Sequence, residues 1–264
     1  MEISKIITDM ILEHVLLFST IGILCLVKML LYFATDAYQA FQTYIMPLIK
    51  KEEDFVKRYG KWAVVTGCTQ GIGRSYVDEL AKRGMNIVLI SRNKERLEKF
   101  ADHLTLIHEG NFKNNVLHKS IWTFFVGEWC CYISNIIVKG LKILIIVKDF
   151  TCPNALSSII DTLRYHNLDI GVLVNNVGIL GPHWMPFLQM EENNFKDIMN
   201  VNMMSTVGLC HFVLPGMVEK RKGAIINVSS ACAAFPVPYL ATYTATKHFI
   251  SAFTEAITAE LKNR

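Results

Sequence analysis

Tyr243 and Lys247 stand four residues apart in the run YLATYTATK. If that run is helical, the spacing puts phenol and ammonium on one face, one turn apart. A phenol alone is a poor acid or base near neutral pH, and a neighbouring ammonium favours the phenolate. Thirteen residues upstream, Ser230 closes the apolar run AIINVSS, where its hydroxyl could hold a carbonyl oxygen against the phenol. These three side chains suit the proton-transfer half of a carbonyl/alcohol oxidoreductase. Tyr-x-x-x-Lys by itself is also a common pattern of amphipathic helices. The reading therefore requires a redox-cofactor site elsewhere in the chain.

Such a site is written between Trp62 and Gly84. The strand-like WAVVT runs into Gly67-Cys68-Thr69-Gln70-Gly71-Ile72-Gly73, and the helical stretch RSYVDELAKRG follows. Glycines let the backbone turn sharply and approach a pyrophosphate, and a helix N-terminus offers free N–H groups and a favourable dipole. The spacing is G-x-x-x-G-x-G rather than G-x-G-x-x-G. The next apolar run, MNIVLIS, arrives where a βαβ unit puts its second strand, and it ends in Ser91-Arg92-Asn93 without an acid. An acid there would hold a ribose 2′-hydroxyl, whereas Ser91 and Arg92 suit a 2′-phosphate, so the expected cofactor is NADP(H) rather than NAD(H).

A further apolar strand, from Asp169 to Val174, leads into Asn175-Asn176-Val177-Gly178, and a long helical pattern from about Glu191 to Met217 carries Asn200-Val201-Asn202. Asparagines at a strand's carboxyl end can tie neighbouring strands and line the crevice where ligands sit. The methionines Met190, Met199, Met203 and Met204 read as core or subunit interface. Strands alternating with helices predict a parallel α/β architecture.

Bulk properties limit the alternatives. With 264 residues the chain can hold one sizeable domain and an appendage. Its 52% hydrophobic content and mean hydropathy of +0.30 point to membrane contact. A net charge of +4 with no basic block excludes an evident nucleic-acid footprint. Seven irregularly spaced cysteines with no C-x-x-C suggest neither a disulfide framework nor a metal site, and reduced thiols fit better.

Met10 to Ala34 has the length and apolarity of a membrane-spanning helix, with Glu13 and Lys28 near its ends. Lys5 precedes it, while Lys50, Lys51, Lys57, Arg58 and Lys61 follow, which places the remaining chain on the cytosolic side. Tyr38, Phe41 and Tyr44 then recur at helical spacing, as in an interfacial helix. The expected organisation is an anchor at 1–34, a juxtamembrane interfacial helix or linker at 35–60, and a catalytic domain at 61–264.

Thr66-Gly67-x-x-x-Gly71-Ile72-Gly73, Asn175-Asn176-x-Gly178, Asn202, Ser230 and Tyr243-x-x-x-Lys247 occur in the order and approximate spacing of the short-chain dehydrogenase/reductase family. The resemblance covers roughly residues 60–264. It is greatest to a branch that holds membrane-bound 17β-hydroxysteroid dehydrogenases, very-long-chain 3-oxoacyl-CoA reductases and hydroxysteroid dehydrogenase-like proteins. It implies that Tyr243 exchanges the proton, Lys247 assists it and binds the nicotinamide ribose, and Ser230 positions the substrate oxygen. Asn202 would hold the water of a proton relay. Gly67, Gly71, Ile72 and Gly73 would cradle the pyrophosphate, with Ser91 and Arg92 at the 2′-phosphate, Asp149 at the adenine and Asn176 beside the ribose. It also implies a lipid substrate (a steroid or acyl-CoA), an endoplasmic reticulum membrane location and a homodimer formed through two long helices.

Two departures qualify the resemblance. The chain between Arg92 and Asp149 is about twice as long as one crossover helix needs. The surplus, within 105–140, holds an apolar and aromatic stretch from Ile121 to Val138 interrupted by Glu128, and it reads as an interfacial or disordered excursion not selected for this fold. Family members also continue past the position of Arg264 with further strands and a substrate-covering helix. The expected fold class is therefore a Rossmann-like doubly wound parallel sheet, C-terminally truncated, with an N-terminal transmembrane helix. The alternative function is a catalytically inactive form that binds cofactor or a partner at most.

Overall fold

A computed structural model describes residues 2–46, 54–109, 118–126, 129–138 and 141–262. The chain divides into two compact units, residues 1–53 and 54–264. The first is built on α1 (Glu2–Ala40), which continues into a π-helical turn, Phe41–Ile45. With no Gly or Pro between Gly22 and Pro47 to break it, the helix runs past Ala34, so Tyr38 lies on α1 and Phe41 in the π turn. Large apolar side chains from Val15 to Phe33 are exposed, and His14–Ala40, with a hydropathy of 2.2, is long and apolar enough to cross a membrane. About 20 apolar residues suffice to span a hydrocarbon core.

The second unit opens with the short α2 (Phe55–Tyr59), whose first turn is capped by the Asp54 carboxylate accepting from Lys57 N at 3.0 Å. Then follow β1 (Trp62–Thr66), α3 (Gly71–Lys82), β2 (Asn86–Ser91), α4 (Lys94–Glu109), β3 (His118–Val126), β4 (Trp129–Val138), β5 (Leu141–Val147), α5 (Ala155–Tyr165) and β6 (Ile170–Asn175). The order ends with α6 (Glu192–Met199), a π turn (Asn200–Met204), α7 (Ser205–Lys220), β7 (Ala224–Asn227) and α8 (Ala241–Leu261). One sheet holds all seven strands in the order β3-β4-β5-β2-β1-β6-β7. From β5 to β7 the pairing is parallel throughout.

Central strands buried on both faces must be apolar on both, which is why β1, β2, β5 and β6 are near-continuous Val/Ile/Leu runs rather than alternating ones. One face packs in a core with Val77, Leu80 and Ala81 of α3 and Leu97, Phe100 and Leu104 of α4. The other packs with Ile159 and Leu163 of α5, and with Leu209, Val213 and Met217 of α7. Glu192–Lys220 also has the length and hydropathy of a membrane span, but 44% of that window is buried inside the domain, as core packing explains.

The surplus segment departs from the expected excursion. Residues 105–109 continue α4, the strands His118–Val126 and Trp129–Val138 form the β3–β4 hairpin, and β4 pairs antiparallel with β5 from Tyr132↔Val147 to Val138↔Leu141. Without it, β5 would present an open row of N–H and C=O groups, and a β-branched run such as Ile136-Ile137-Val138 is well suited to cover it. Ile136, 2% exposed, joins the core cluster of Leu97, Phe100 and Leu104.

Asp169 ties three elements at the amino ends of the central strands. Its carbonyl accepts from Trp62 N at 3.0 Å, one carboxylate oxygen from Lys61 N at 3.2 Å, and the other from the Lys220 ammonium. The Lys220 hydrogen bond, against some desolvation, holds the carboxyl below its ordinary range. A depressed carboxylate adds stability above its unfolded pKa of about 3.9, and that stability is lost as pH falls through the folded value. Asp169→Asn should therefore destabilise the fold at pH 7 by on the order of 0.5 kcal/mol, since the site is largely exposed. The gap from wild type in thermal melts should narrow below about pH 4. A gap that stays constant with pH would mean that Asp169 acts through packing and not through its charge.

Candidate active site

The glycine turn is set by a close approach between backbone segments. Gly67 and Gly71 adopt φ of 62° and 57°, in the left-handed region that glycine occupies without penalty. At Gly73 the constraint is space: a Cβ there would lie 2.4 Å from Asn176 Nδ2 and 2.5 Å from Gly67 O. That room is taken by the Asn176 amide, which donates to Thr66 O at 3.2 Å and to Gly67 O at 2.9 Å. Thr66 completes the lock, its hydroxyl accepting from Asn176 N and Val177 N, each at 3.0 Å. The carboxyl ends of β1 and β6 are thereby joined where the chain leaves both strands.

A cleft of about 350 Å³ lies over this lock. Thr69, Gln70 and Gly71 form one side, Ser91, Arg92 and Arg96 the other, and Asn176 to Ile179 continue the lining. A Cβ at Gly71 would meet nothing within 4 Å, so the start of α3 has open space beside it, and Ile72 in its first turn is 59% exposed. Arg92 Nη1 stands 3.8 Å from an Asp149 carboxylate oxygen, while the other oxygen of Asp149 accepts from Thr151 N at 3.0 Å. Open glycine backbone at a helix N-terminus and cations at the far rim fit an extended, phosphorylated dinucleotide.

Tyr243 and Lys247 lie beyond the Gly178 part of the lining. Lys247 on α8 is 5% exposed, and its ammonium donates to Val228 O at 2.9 Å. Burial moves its pKa below the ordinary lysine value. The Lys247 nitrogen lies 5.8 Å from the Tyr243 ring centroid, one helical turn away. A Cβ on Gly178, a lining residue of the cleft, would stand 3.4 Å from Lys247 Nζ and 3.5 Å from Asn202 Oδ1. Gly178, Asn202 and Lys247 thus converge on one point. Ser230 starts a short 3-10 turn with its hydroxyl accepting from Cys232 N at 3.2 Å, and among the described residues it makes no bond to Tyr243.

Asn202 is fully engaged. Its amide accepts from Ile179 N at 2.8 Å and donates to Ile179 O and Thr246 Oγ1, each at 3.0 Å. The side chain therefore braces the loop after β6 against α8, inside a π turn of a kind that often marks functional sites. Sequence reading named Thr66 in the glycine motif without its bonds to the loop after β6, and it did not single out Thr246 or Ser229, whose hydroxyl donates to Lys247 O at 3.0 Å. Nor did it single out Arg96, although that residue stands one helical turn beyond Arg92.

The chain belongs to the short-chain dehydrogenase family, whose profile matches residues 61–114 and 132–264 and skips part of the β3–β4 segment. It is 37% identical over 230 residues to the inactive hydroxysteroid dehydrogenase-like protein 1 of Pongo abelii, covering 87% of this chain and 60% of the relative. Over 225 residues it is 38% identical to 17-beta-hydroxysteroid dehydrogenase type 3 of Danio rerio, covering 82% and 62%. The very-long-chain 3-oxoacyl-CoA reductase of Rattus norvegicus is 35% identical over 230 residues, covering 86% and 63%. A short-chain dehydrogenase from Sphingobium yanoikuyae, solved in complex with NADPH, superposes with a TM-score of 0.60 at 25% identity, over 77% of this chain and 66% of that one. The chain thus spans about 60% of the length of the curated relatives it matches.

The lock at Gly73 can be tested against a glycine that has room. Gly73→Ala forces Asn176 away and should cost about 1–3 kcal/mol of stability, as overpacking does. Gly216→Ala, in α7 where a Cβ meets nothing within 4 Å, should gain about 0.5–1 kcal/mol. Denaturant titration of both variants checks the pair, and equal effects would refute the close-approach argument.

Proposed function

We propose that the chain interconverts a keto and a hydroxyl group on a lipid substrate, a 17β-hydroxysteroid or a 3-oxoacyl-CoA, using NADP(H). The observation that carries this reading is the continuity of the cleft. The phosphate-suited glycine turn runs without a break to Gly178, beneath which the buried Lys247 lies beside Tyr243.

The nicotinamide, when bound, supplies or takes the hydride. The chain's own residues orient the groups and handle the proton. Tyr243 is the proton donor or acceptor at the substrate oxygen, and Ser230 holds that oxygen once its hydroxyl turns from Cys232 N. Lys247, fixed on Val228 O, keeps donors free for a ribose hydroxyl. Asn202 positions Lys247 and Tyr243 by bracing Ile179 and Thr246, and contributes to a proton relay with Lys247. Gly67, Gly71, Ile72 and Gly73 hold the pyrophosphate, Ser91 and Arg92 the 2′-phosphate, Asp149 the adenine and Asn176 the ribose side.

An apolar rim supports a lipid substrate. Phe235 and Tyr239 in the loop before α8 are each 57% exposed, facing a second loop with exposed Trp184, Phe187 and Leu188. Met185 N donates to Tyr239 O at 3.3 Å, and Tyr239 sits at φ 63°, a strained conformation for a tyrosine. On this reading α1 anchors the enzyme in the endoplasmic reticulum membrane with residues 61–264 in the cytosol. The long helices α7 and α8 provide the surface for a homodimer.

A second reading, a cofactor-binding protein without turnover, is favoured by the likeness to a relative named inactive. Kinetics separate the two. Purified full chain in detergent should reduce a 17-ketosteroid or a 3-oxoacyl-CoA with NADPH. Tyr243→Phe should lower kcat by at least about a hundredfold, with NADPH affinity held within about twofold. NADPH binding without turnover in the wild type supports the second reading, and a folded chain that binds no NADPH sinks both.

A further inference from the structure

Arg96 is a cation at the cofactor cleft to which the roles above assign no part. We propose that Arg96 is a specificity-determining residue for the adenosine 2′-phosphate, acting with Arg92; this rests on the NADP(H) reading.

The geometry of the rim carries the argument. Asn93 caps the start of α4, its side chain accepting from Arg96 N at 2.9 Å, which fixes Arg96 in the first turn at the cleft wall. From there the guanidinium crosses the cleft to Gln70 Oε1 at 3.1 Å. Gln70 is the residue before α3 and makes no capping bond with its own side chain, so its amide is committed to Arg96 instead. The glycine turn and the 2′-end of the cleft are therefore bridged by one hydrogen bond.

The two guanidiniums differ in what they face. Arg92 has the Asp149 carboxylate at 3.8 Å, which offsets part of its charge. Arg96 bonds a neutral amide, and the Glu95 carboxylate, bonded to Lys99 at 2.7 Å, acts on Arg96 only as a neighbouring charge. A cation in the first turn of a helix also opposes the helix dipole, a cost that an arriving anion reverses. Exchanging a neutral amide oxygen for a phosphate dianion gives Arg96 a charge-assisted and roughly twice stronger bond. Arg96 therefore gains a charge-assisted bond from a 2′-phosphate that a bare 2′-hydroxyl does not supply.

The test is equilibrium binding by the full chain in detergent, with NADPH and NADH followed by fluorescence. Adenosine 2′,5′-bisphosphate and 5′-AMP serve as nicotinamide-free competitors. Wild type should prefer NADPH, and Arg96→Ala should weaken NADPH and the bisphosphate at least about tenfold while leaving NADH and AMP within about twofold. Arg96→Lys, which keeps a cation at the position, should retain most of the NADPH preference. If Arg96→Ala weakens all four ligands alike, Arg96 is merely a brace for the turn and the proposal fails. A wild type with no preference for NADPH overturns the NADP(H) reading itself. A preference that survives Arg96→Ala overturns only the role of Arg96.

Discussion

The site depends on one amide. Asn176 occupies the space that a side chain at position 73 would fill, and it spends that position holding Thr66 O and Gly67 O together. Buried carbonyls at the end of a central strand need partners, and here the partner comes from the neighbouring strand rather than from water. The arrangement explains why glycine is required at 67 and 73 for different reasons, one for φ and one for volume. It also extends the β1–β6 pairing past the ends of both strands, and Val177 and Gly178 then lead the chain toward Lys247.

Burying an ammonium is costly unless it is hydrogen-bonded. Lys247 meets that need with Val228 O, and Ser229 and Ser251 add hydroxyl contacts to the adjoining backbone. Desolvation lowers the lysine pKa, so its charge is more readily given up than that of a surface lysine. An ammonium held that way is fixed in place by protein. Asn202 does the same for the loop above it, from a π turn that breaks the regular α6–α7 register at the point of contact.

Much of this was legible in the sequence because it is local. The apolar runs of β1, β2, β5 and β6, the glycine turn and the Tyr243–Lys247 spacing each lie within a dozen residues, and the structure draws them as strands, turn and helix. What was not legible is long-range. Asn202 is 23 residues from Ile179 and 44 from Thr246, and no pattern in either neighbourhood announces the bonds. Arg96 reads as one more charge on an amphipathic helix, and only the fold brings it to Gln70, 26 residues away. The β3–β4 segment misleads because its aromatic and apolar residues, broken by Glu128, match no single period. Its strand character follows from what β5 offers beside it.

The two edges of the sheet bear on the site unequally. At the β5 edge, a hairpin is added three strands away from β6, and the β5–β2–β1 register runs on without a shift from Ile87↔Ile143 to Thr66↔Ile90. Extra chain can enter there because an edge accepts a further strand without moving those already paired. The β7 edge lies under α8, the helix that carries Tyr243 and Lys247. Each of the four residues of β7 is only half-buried, and among the described residues the strand is paired on one side alone, with β6. Yet α8 is fastened largely to this strand and the turn after it, through Asn227 to Thr254, Val228 to Lys247 and Ser229 to Ser251. The helix that carries Tyr243 and Lys247 is thus bonded to a half-buried strand, whereas the glycine turn follows β1, buried at four of its five residues. Local opening begins where burial is lowest. It should therefore release Tyr243 and Lys247 while the glycine turn, locked by Asn176, still holds its shape.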